Sequence, residues 1–165
     1  DGFVRLISDT FHMWYIFGTG WKQYALNIPP DRTYKIGHAV SEDGIDWVKE
    51  DGRQIIPDIL GPDESQALPT VIEIEGRYHM FFCYRQSFDF RTHKGRGYRT
   101  GHAWSDDLLN WTRDRAIPQI EGTPGEWDSD MQCYPHAFEC DGKFLLLYNG
   151  NEFGRHGFGL AELEA

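Results

Sequence analysis

The amino-acid sequence predicts an all-β fold: a β-propeller of four-stranded antiparallel blades, of which this chain covers about two and a half to three. Three observations support this. The stretch from Ala67 to Trp111 reads as strand, tight turn, strand, loop, strand, turn, strand. Flanking segments repeat it. A shift of 67 residues carries His12-Met13-Trp14 onto His79-Met80-Phe81, and one of 64 carries Gly37-His38-Ala39, Ser41, Asp43 and Trp47 onto Gly101-His102-Ala103, Ser105, Asp107 and Trp111. A shift of 66 carries Pro69, Gly76 and Tyr78 onto Pro135, Gly142 and Phe144, and Gly101 and Ala103 recur 58 residues on as Gly159 and Ala161. The middle strand of the central unit also lacks charge on both faces: His79, Phe81 and Cys83 alternate with Met80, Phe82 and Tyr84. Such a strand needs cover on both sides, as in sheets stacked around a channel, whereas a β-sandwich leaves one polar face per strand.

The elements follow in order as one partial propeller domain, with blades at about 1–50, 67–114 and 131–165. In the first blade the second strand is expected at His12 to Gly18 and the third at Tyr34 to Val40, separated by a loop that Pro29-Pro30 stiffens. Ser41 to Trp47 and its copy Ser105 to Trp111 match the Ser-x-Asp-x-Gly-x-x-Trp pattern of an Asp-box turn, with Leu109 standing in the second copy for Gly44. The Asp would cap backbone amides and the Trp would pack under the blade edge. A crossing from Asp51 to Ser65 leads to the second blade, where Val71 to Ile74 and the φ > 0 residues Glu75-Gly76 make a hairpin. A second crossing, Arg115 to Asp130, leads to a blade without its outer strand.

At 165 residues, 40% of them hydrophobic, the chain buries a sizeable core. A net charge of −10 argues against nucleic acid and anionic membrane surfaces as partners. Cys83, Cys133 and Cys140 have no paired spacing and read as free thiols of a reducing, cytoplasmic compartment. Asp1 is not an initiator Met, and a closed propeller needs at least about four blades. The chain is therefore expected to be a fragment, or a subunit whose homodimer completes the ring.

Repetition also sorts the polar residues. His12, His38, His79 and His102 recur from blade to blade and read as scaffold, and no spacing suits a metal ion. The leading ends of inner strands line a propeller's channel mouth. There the shift of 66 places Glu64 on Asp130 and Gln66 on Gln132, so that two carboxylates would face one cavity, with Asp128 as an accessory acid. Glycoside hydrolysis uses such a pair, one carboxyl protonating the leaving oxygen and the other activating water or attacking the sugar. Turn capping at blade junctions explains the same acids without chemistry. Arg85 and Arg99, in a cationic and aromatic segment, suit two-point binding of an anionic sugar or phosphate, or internal salt bridges. Tyr134, His136 and Asn151 suit sugar hydroxyls, or glycine-rich turns.

Blades of the form Pro-x-Val…Gly-x-Tyr-x-Met-x-Phe…Gly-x-Ala-x-Ser-x-Asp…Trp resemble the five-bladed propellers of family 43, family 32 and related glycoside hydrolases. The segments "LPTVIEIEGRYHMFFCYR", "WDSDMQCYPHAF" and "LLLYNGNEFGRHGFGLA" resemble glycosidase-like proteins of bacterial polysaccharide loci. The resemblance implies a carbohydrate ligand and a glycoside hydrolase acting on a bacterial glycan. A non-catalytic sugar-binding module, a degenerate fragment and a glycan phosphorylase or transferase are the alternatives. The general acid of family 43, a Glu two residues before an inner-strand Pro, has Ala67 and Cys133 in its place here. Similar propellers sometimes hold a channel calcium ion; no ligands for one are evident, and no other cofactor is expected.

Overall fold

A computed structural model describes residues 1–115 and 120–163. The strands are β1 (Gly2–Ile7), β2 (Thr10–Lys22), β3 (Asp31–Ser41), β4 (Val48–Lys49), β5 (Glu64–Ile74), β6 (Arg77–Gln86), β7 (Arg99–Ser105), β8 (Thr112–Asp114), β9 (Cys133–Cys140), β10 (Lys143–Asn149) and β11 (Phe158–Glu162). They form three antiparallel meanders, β1 to β4, β5 to β8 and β9 to β11, that do not close a ring. Among the described residues the helical elements are one 3-10 turn at Lys94–Arg96 and a short turn, α1 (Asn151–Gly154). Among the described residues no helix is long and apolar enough to cross a membrane.

Each blade opens with the same tight hairpin. Ser8-Asp9, Glu75-Gly76 and Asp141-Gly142 all have positive φ at both central residues, from +48° to +77°, the twist that joins two right-twisted strands. The second and third strands then lock by a ring-over-glycine contact. Tyr15 pairs with Gly37, Phe82 with Gly101 and Tyr148 with Gly159, and each aromatic ring lies where a Cβ on the glycine would be. The repeated Gly-x-Ala is thus a packing requirement. At Gly101 the added carbon would sit 2.6 Å from Phe82, which is fully buried and has nowhere to move. Gly101→Ala is expected to cost about 1–3 kcal/mol by overpacking, read as a lowered Tm. Gly37→Ala, under the half-buried Tyr15, is expected to cost less, and equal effects would refute the account.

The blades stack face to face. Trp14 and Ile36 of the first blade share one core with Val71, Met80 and Phe82 of the second, while Ile72 packs with Ala137 and Leu146 of the third. Inner strands are also stitched by polar contacts: Arg5 Nη1 donates to the Val71 carbonyl at 3.1 Å, and the Ala137 amide donates to Thr70 Oγ1 at 3.2 Å. The turns after β3 and β7 are superimposable in their bonding. Asp43 Oδ1 accepts from the amides of Ile45 and Asp46, and Asp107 Oδ1 from those of Leu109 and Asn110. These bonds hold both carboxyls below the usual range. The counterpart of Gly44 (φ +74°) is Leu108 (φ +66°), not Leu109, and Leu108 tolerates the left-handed backbone because its side chain is buried in the core.

The recurring histidines are neighbours across a strand pair. His12 Nδ1 lies 3.0 Å from His38 Nε2, and His79 Nδ1 lies 3.0 Å from His102 Nε2. One ring of each pair donates and the other accepts, so the pair needs a neutral acceptor. Burial pushes all four down, and His38 and His102 fall to about 4. An unfolded chain, with His near 6.5, therefore takes up protons that the folded chain refuses. Stability is complete above about pH 6.5 and is lost as pH falls towards 4, by about 1 kcal/mol at pH 5.5 from His102 and less from His38, where water screens the charge. A Tm that stays level between pH 7 and pH 5.5 would sink this expectation.

Candidate functional site

The loops at the leading ends of β5 and β9 gather most of the candidate residues. Each inner strand carries a bulge there, with Leu68 (φ +49°) before Pro69 and Tyr134 (φ +59°) before Pro135. The shift of 66 residues holds in three dimensions. A cation at the start of a third strand braces the backbone of the next inner strand: Lys35 Nζ donates to the Glu64 carbonyl at 2.8 Å, and Arg99 Nη1 donates to the Asp130 carbonyl. The two acids thus occupy equivalent backbone positions.

Their side chains part company. Glu64 is fully buried and takes Arg113 Nη1 at 2.6 Å, Gln66 Nε2 at 3.0 Å and the amides of Ile59 and Leu60 at 2.8 and 2.9 Å. Its carboxylate ties β8 and the crossing segment to the head of β5, and no face of it meets solvent. Asp128 is likewise buried, accepting from the Thr123 amide at 3.1 Å and the Tyr148 hydroxyl at 3.0 Å. Burial and the Asp128 carboxylate push that phenol up to about 12. Asp130 turns outward, with its side chain 33% exposed, and meets Lys94 Nζ at 2.7 Å. The expected pair sharing one cavity is not what forms: Glu64 and Asp128 are sealed in blade junctions, and Asp130 alone reaches an open cleft.

That cleft, about 480 Å³, lies between the 90–97 segment and the 151–156 turn, and its walls include Phe90, Lys94, Asp130 and Phe153. Behind the wall the rings of Phe90, Tyr98, Tyr134 and Phe153 lie within 5.9–6.4 Å of one another in pairs. Arg85 is 2% exposed, with its guanidinium 3.5 Å from the Phe90 ring centroid and between Tyr34 and Tyr98. It donates to the Gln86 carbonyl at 2.8 Å and to Tyr34 Oη at 3.4 Å, while its Nε has no partner. Arg99 is half-buried, and that burial lowers its guanidinium from the ordinary arginine value. Tyr134 is pushed up to about 12 by burial, and remains a neutral hydroxyl.

Asn151 is committed to the fold. Its Oδ1 accepts from the amides of Asp130 and Met131 at 2.9 and 3.0 Å, and its Nδ2 donates to the Glu126 carbonyl and Ser129 Oγ. It thereby sets the position of Asp130. His136 stands apart on an exposed position of β9, with the Phe3 ring 6.3 Å away. Cys83 and Cys133 are buried thiols raised to about 12, and so inert. Among the described residues no group of three His, Cys, Asp or Glu side chains is placed to hold a metal ion.

Repetition could not reveal Phe153 or Arg113. Phe153 lies in a turn with no counterpart in the other blades, and the residue 64 positions before Arg113 is Lys49, which pairs with Asp51 at the surface. The available signal for Phe153 was an aromatic residue in the glycine-rich run Gly150 to Gly157.

No family model matches the chain. A thermostable family-43 glycoside hydrolase superimposes on all of it at a TM-score of 0.70, with 17% identity and 54% of that structure covered. This chain has the fold of the glycoside hydrolase propellers. Within this propeller, two relatives share more sequence. An uncharacterised protein of Mycobacterium tuberculosis is 39% identical over 158 residues, 95% of this chain and 48% of that protein. A β-1,2-mannobiose phosphorylase of a Thermoanaerobacter species is 31% identical over 117 residues, 67% of this chain and 36% of that enzyme. The propeller chain spans about half the length or less of the curated relatives it matches.

Proposed function

We propose that the protein is a carbohydrate-active enzyme that cleaves glycosidic bonds, with Asp130 as the carboxyl group that this half of the propeller contributes. The observation that carries the proposal is the setting of Asp130: an open carboxylate beside the Lys94 ammonium, in a cleft with aromatic walls at the mouth of the inner strands. A carboxyl group there transfers a proton to or from a sugar oxygen, while aromatic faces hold the ring. Glu64 and Asp128 act on the site indirectly, by fixing the junctions on either side. Arg99 and Asn151 fix the backbone of Asp130, and Arg85 and Tyr134 support the aromatic wall from behind.

A second reading, phosphorolysis, is favoured by the company Asp130 keeps. Hydrolysis calls for two carboxyl groups around a water, whereas attack by inorganic phosphate replaces one of them with an anion that cations must hold. Lys94 and Arg91 line the cleft, and one of the two relatives is a phosphorylase. A single assay separates the readings. The protein is incubated with β-1,2-mannobiose and with a panel of nitrophenyl glycosides, with and without inorganic phosphate. Free sugar in both conditions indicates hydrolysis; a sugar 1-phosphate formed only with phosphate indicates phosphorolysis. No product in either condition overturns both.

A further inference from the structure

Glu152 and Phe153 are consecutive non-glycine residues in the left-handed region, with φ of +52° and +62°. Side chains crowd the backbone in this region, so the surrounding structure must impose the conformation. It does so through the backbone. The Asn151 amide donates to the Trp127 carbonyl at 2.8 Å, the Gly150 amide to the Gly157 carbonyl at 3.1 Å and the Gly154 amide to the Gly150 carbonyl at 3.1 Å. Gly150 packs so closely on Trp127 that a Cβ there would lie 2.4 Å from the indole. The turn is thus clamped at both ends.

The clamp holds Phe153 where burial alone would not. Its ring is 36% exposed, although three aromatic rings lie within reach: Phe90 at 6.4 Å, Tyr98 at 6.3 Å and Tyr134 at 6.3 Å and nearly parallel. Tyr134 stacks on the ring, Phe90 and Tyr98 meet it edge-on, and Phe153 lines the cleft that Asp130 and Lys94 also line. The cleft cations have carboxylate partners, Lys94 with Asp130 at 2.7 Å and Arg91 with Asp31 at 3.6 Å. The Phe153 side of the cleft therefore suits the apolar face of a neutral ring, with the polar edge at Asp130 and Lys94 left for its hydroxyl groups.

We propose that this cleft is a pyranose subsite in which Phe153 is the stacking platform. The ring's C–H face lies on Phe153, and its hydroxyl groups hydrogen-bond Asp130 and Lys94. Phe153 is then a residue that determines which sugar faces are accepted, because only a pyranose with several axial C–H bonds on one side presents an apolar face to it. This rests on the proposal that the protein acts on carbohydrates. Base-aromatic stacking elsewhere is worth a factor of roughly 10 to 100 in affinity, and a similar loss is expected here.

The test is saturation-transfer NMR with β-1,2-mannobiose as the probe, on wild type, Phe153→Ala and Phe153→Trp. Transfer to the sugar C–H protons in wild type, its loss in Phe153→Ala and its return in Phe153→Trp are the expected results. Unchanged transfer in Phe153→Ala, with the variant's melting temperature confirming that it is folded, overturns the subsite whatever the activity assay shows. No transfer in wild type also overturns it for this sugar. Turnover of a glycoside in that case would leave the enzymatic proposal standing, so the two failures are distinguishable. In a steady-state assay Phe153→Ala is expected to raise KM about tenfold or more with kcat nearly unchanged, since stacking holds ground state and transition state alike.

Discussion

Glu64→Gln melts well below wild type, with an expected loss of about 3–5 kcal/mol because the substitution strands a buried guanidinium. For a chain of this size that corresponds to a fall in Tm of about 10 °C. Arg113 and Glu64 are 1% and 0% exposed in their side chains, so no water screens the charge that remains. The neutral amide also cannot serve every donor that converges on the carboxylate. Ile59 and Leu60 amides, Gln66 Nε2 and Arg113 Nη1 all point at it. Any NH2 orientation sets a donor against a donor. Phe82 and Tyr84 flank the Arg113 guanidinium at 5.0 and 4.4 Å, an apolar setting that accepts a hydrophobic replacement. The double variant Glu64→Gln with Arg113→Met should therefore recover a substantial part of the loss. A single variant as stable as wild type would show that the ion pair does not hold the junction.

Asp130→Asn should behave in the opposite way. Turnover is expected to fall by about 10²–10⁴-fold, the usual contribution of a positioned proton-transfer group, while Tm stays within about 2 °C. The side chain is 33% exposed and its partner Lys94 is 82% exposed, and ion pairs in such positions are worth about 0–1 kcal/mol. The structural duties of residue 130 belong to its backbone, whose carbonyl takes Arg99 and whose amide is held by Asn151. Asparagine keeps both. Turnover within about twofold of wild type would remove Asp130 from the chemistry. A large drop in Tm would show that its carboxylate serves the fold.

Placed side by side, the two variants separate equivalent positions that the sequence alone treats as one kind. The repeat pairs Glu64 with Asp130, and their backbones do carry the same brace, from Lys35 in one junction and Arg99 in the next. The side chains differ because Arg113 in the fourth strand of the second blade draws Glu64 inward, whereas Asp130 meets a lysine from the loop before β7.

The sequence by itself determined the fold. Strand alternation without charge, the Glu75-Gly76 hairpin signal and glycines that recur from blade to blade are local or repeating constraints, and each is imposed by backbone sterics and close packing. It also marked His12, His38, His79 and His102 as scaffold, since they recur from the first blade to the second. Only the tertiary structure decided which acid is open. Exposure of a carboxylate depends on cations drawn from distant strands, 49 residues away for Glu64 and 36 for Asp130, and no spacing rule within a blade encodes that choice. Phe153 was hidden for the same reason: its turn occurs once, and its ring becomes a surface of the cleft only because Phe90, Tyr98 and Tyr134 are folded behind it while Trp127 holds the turn at Gly150.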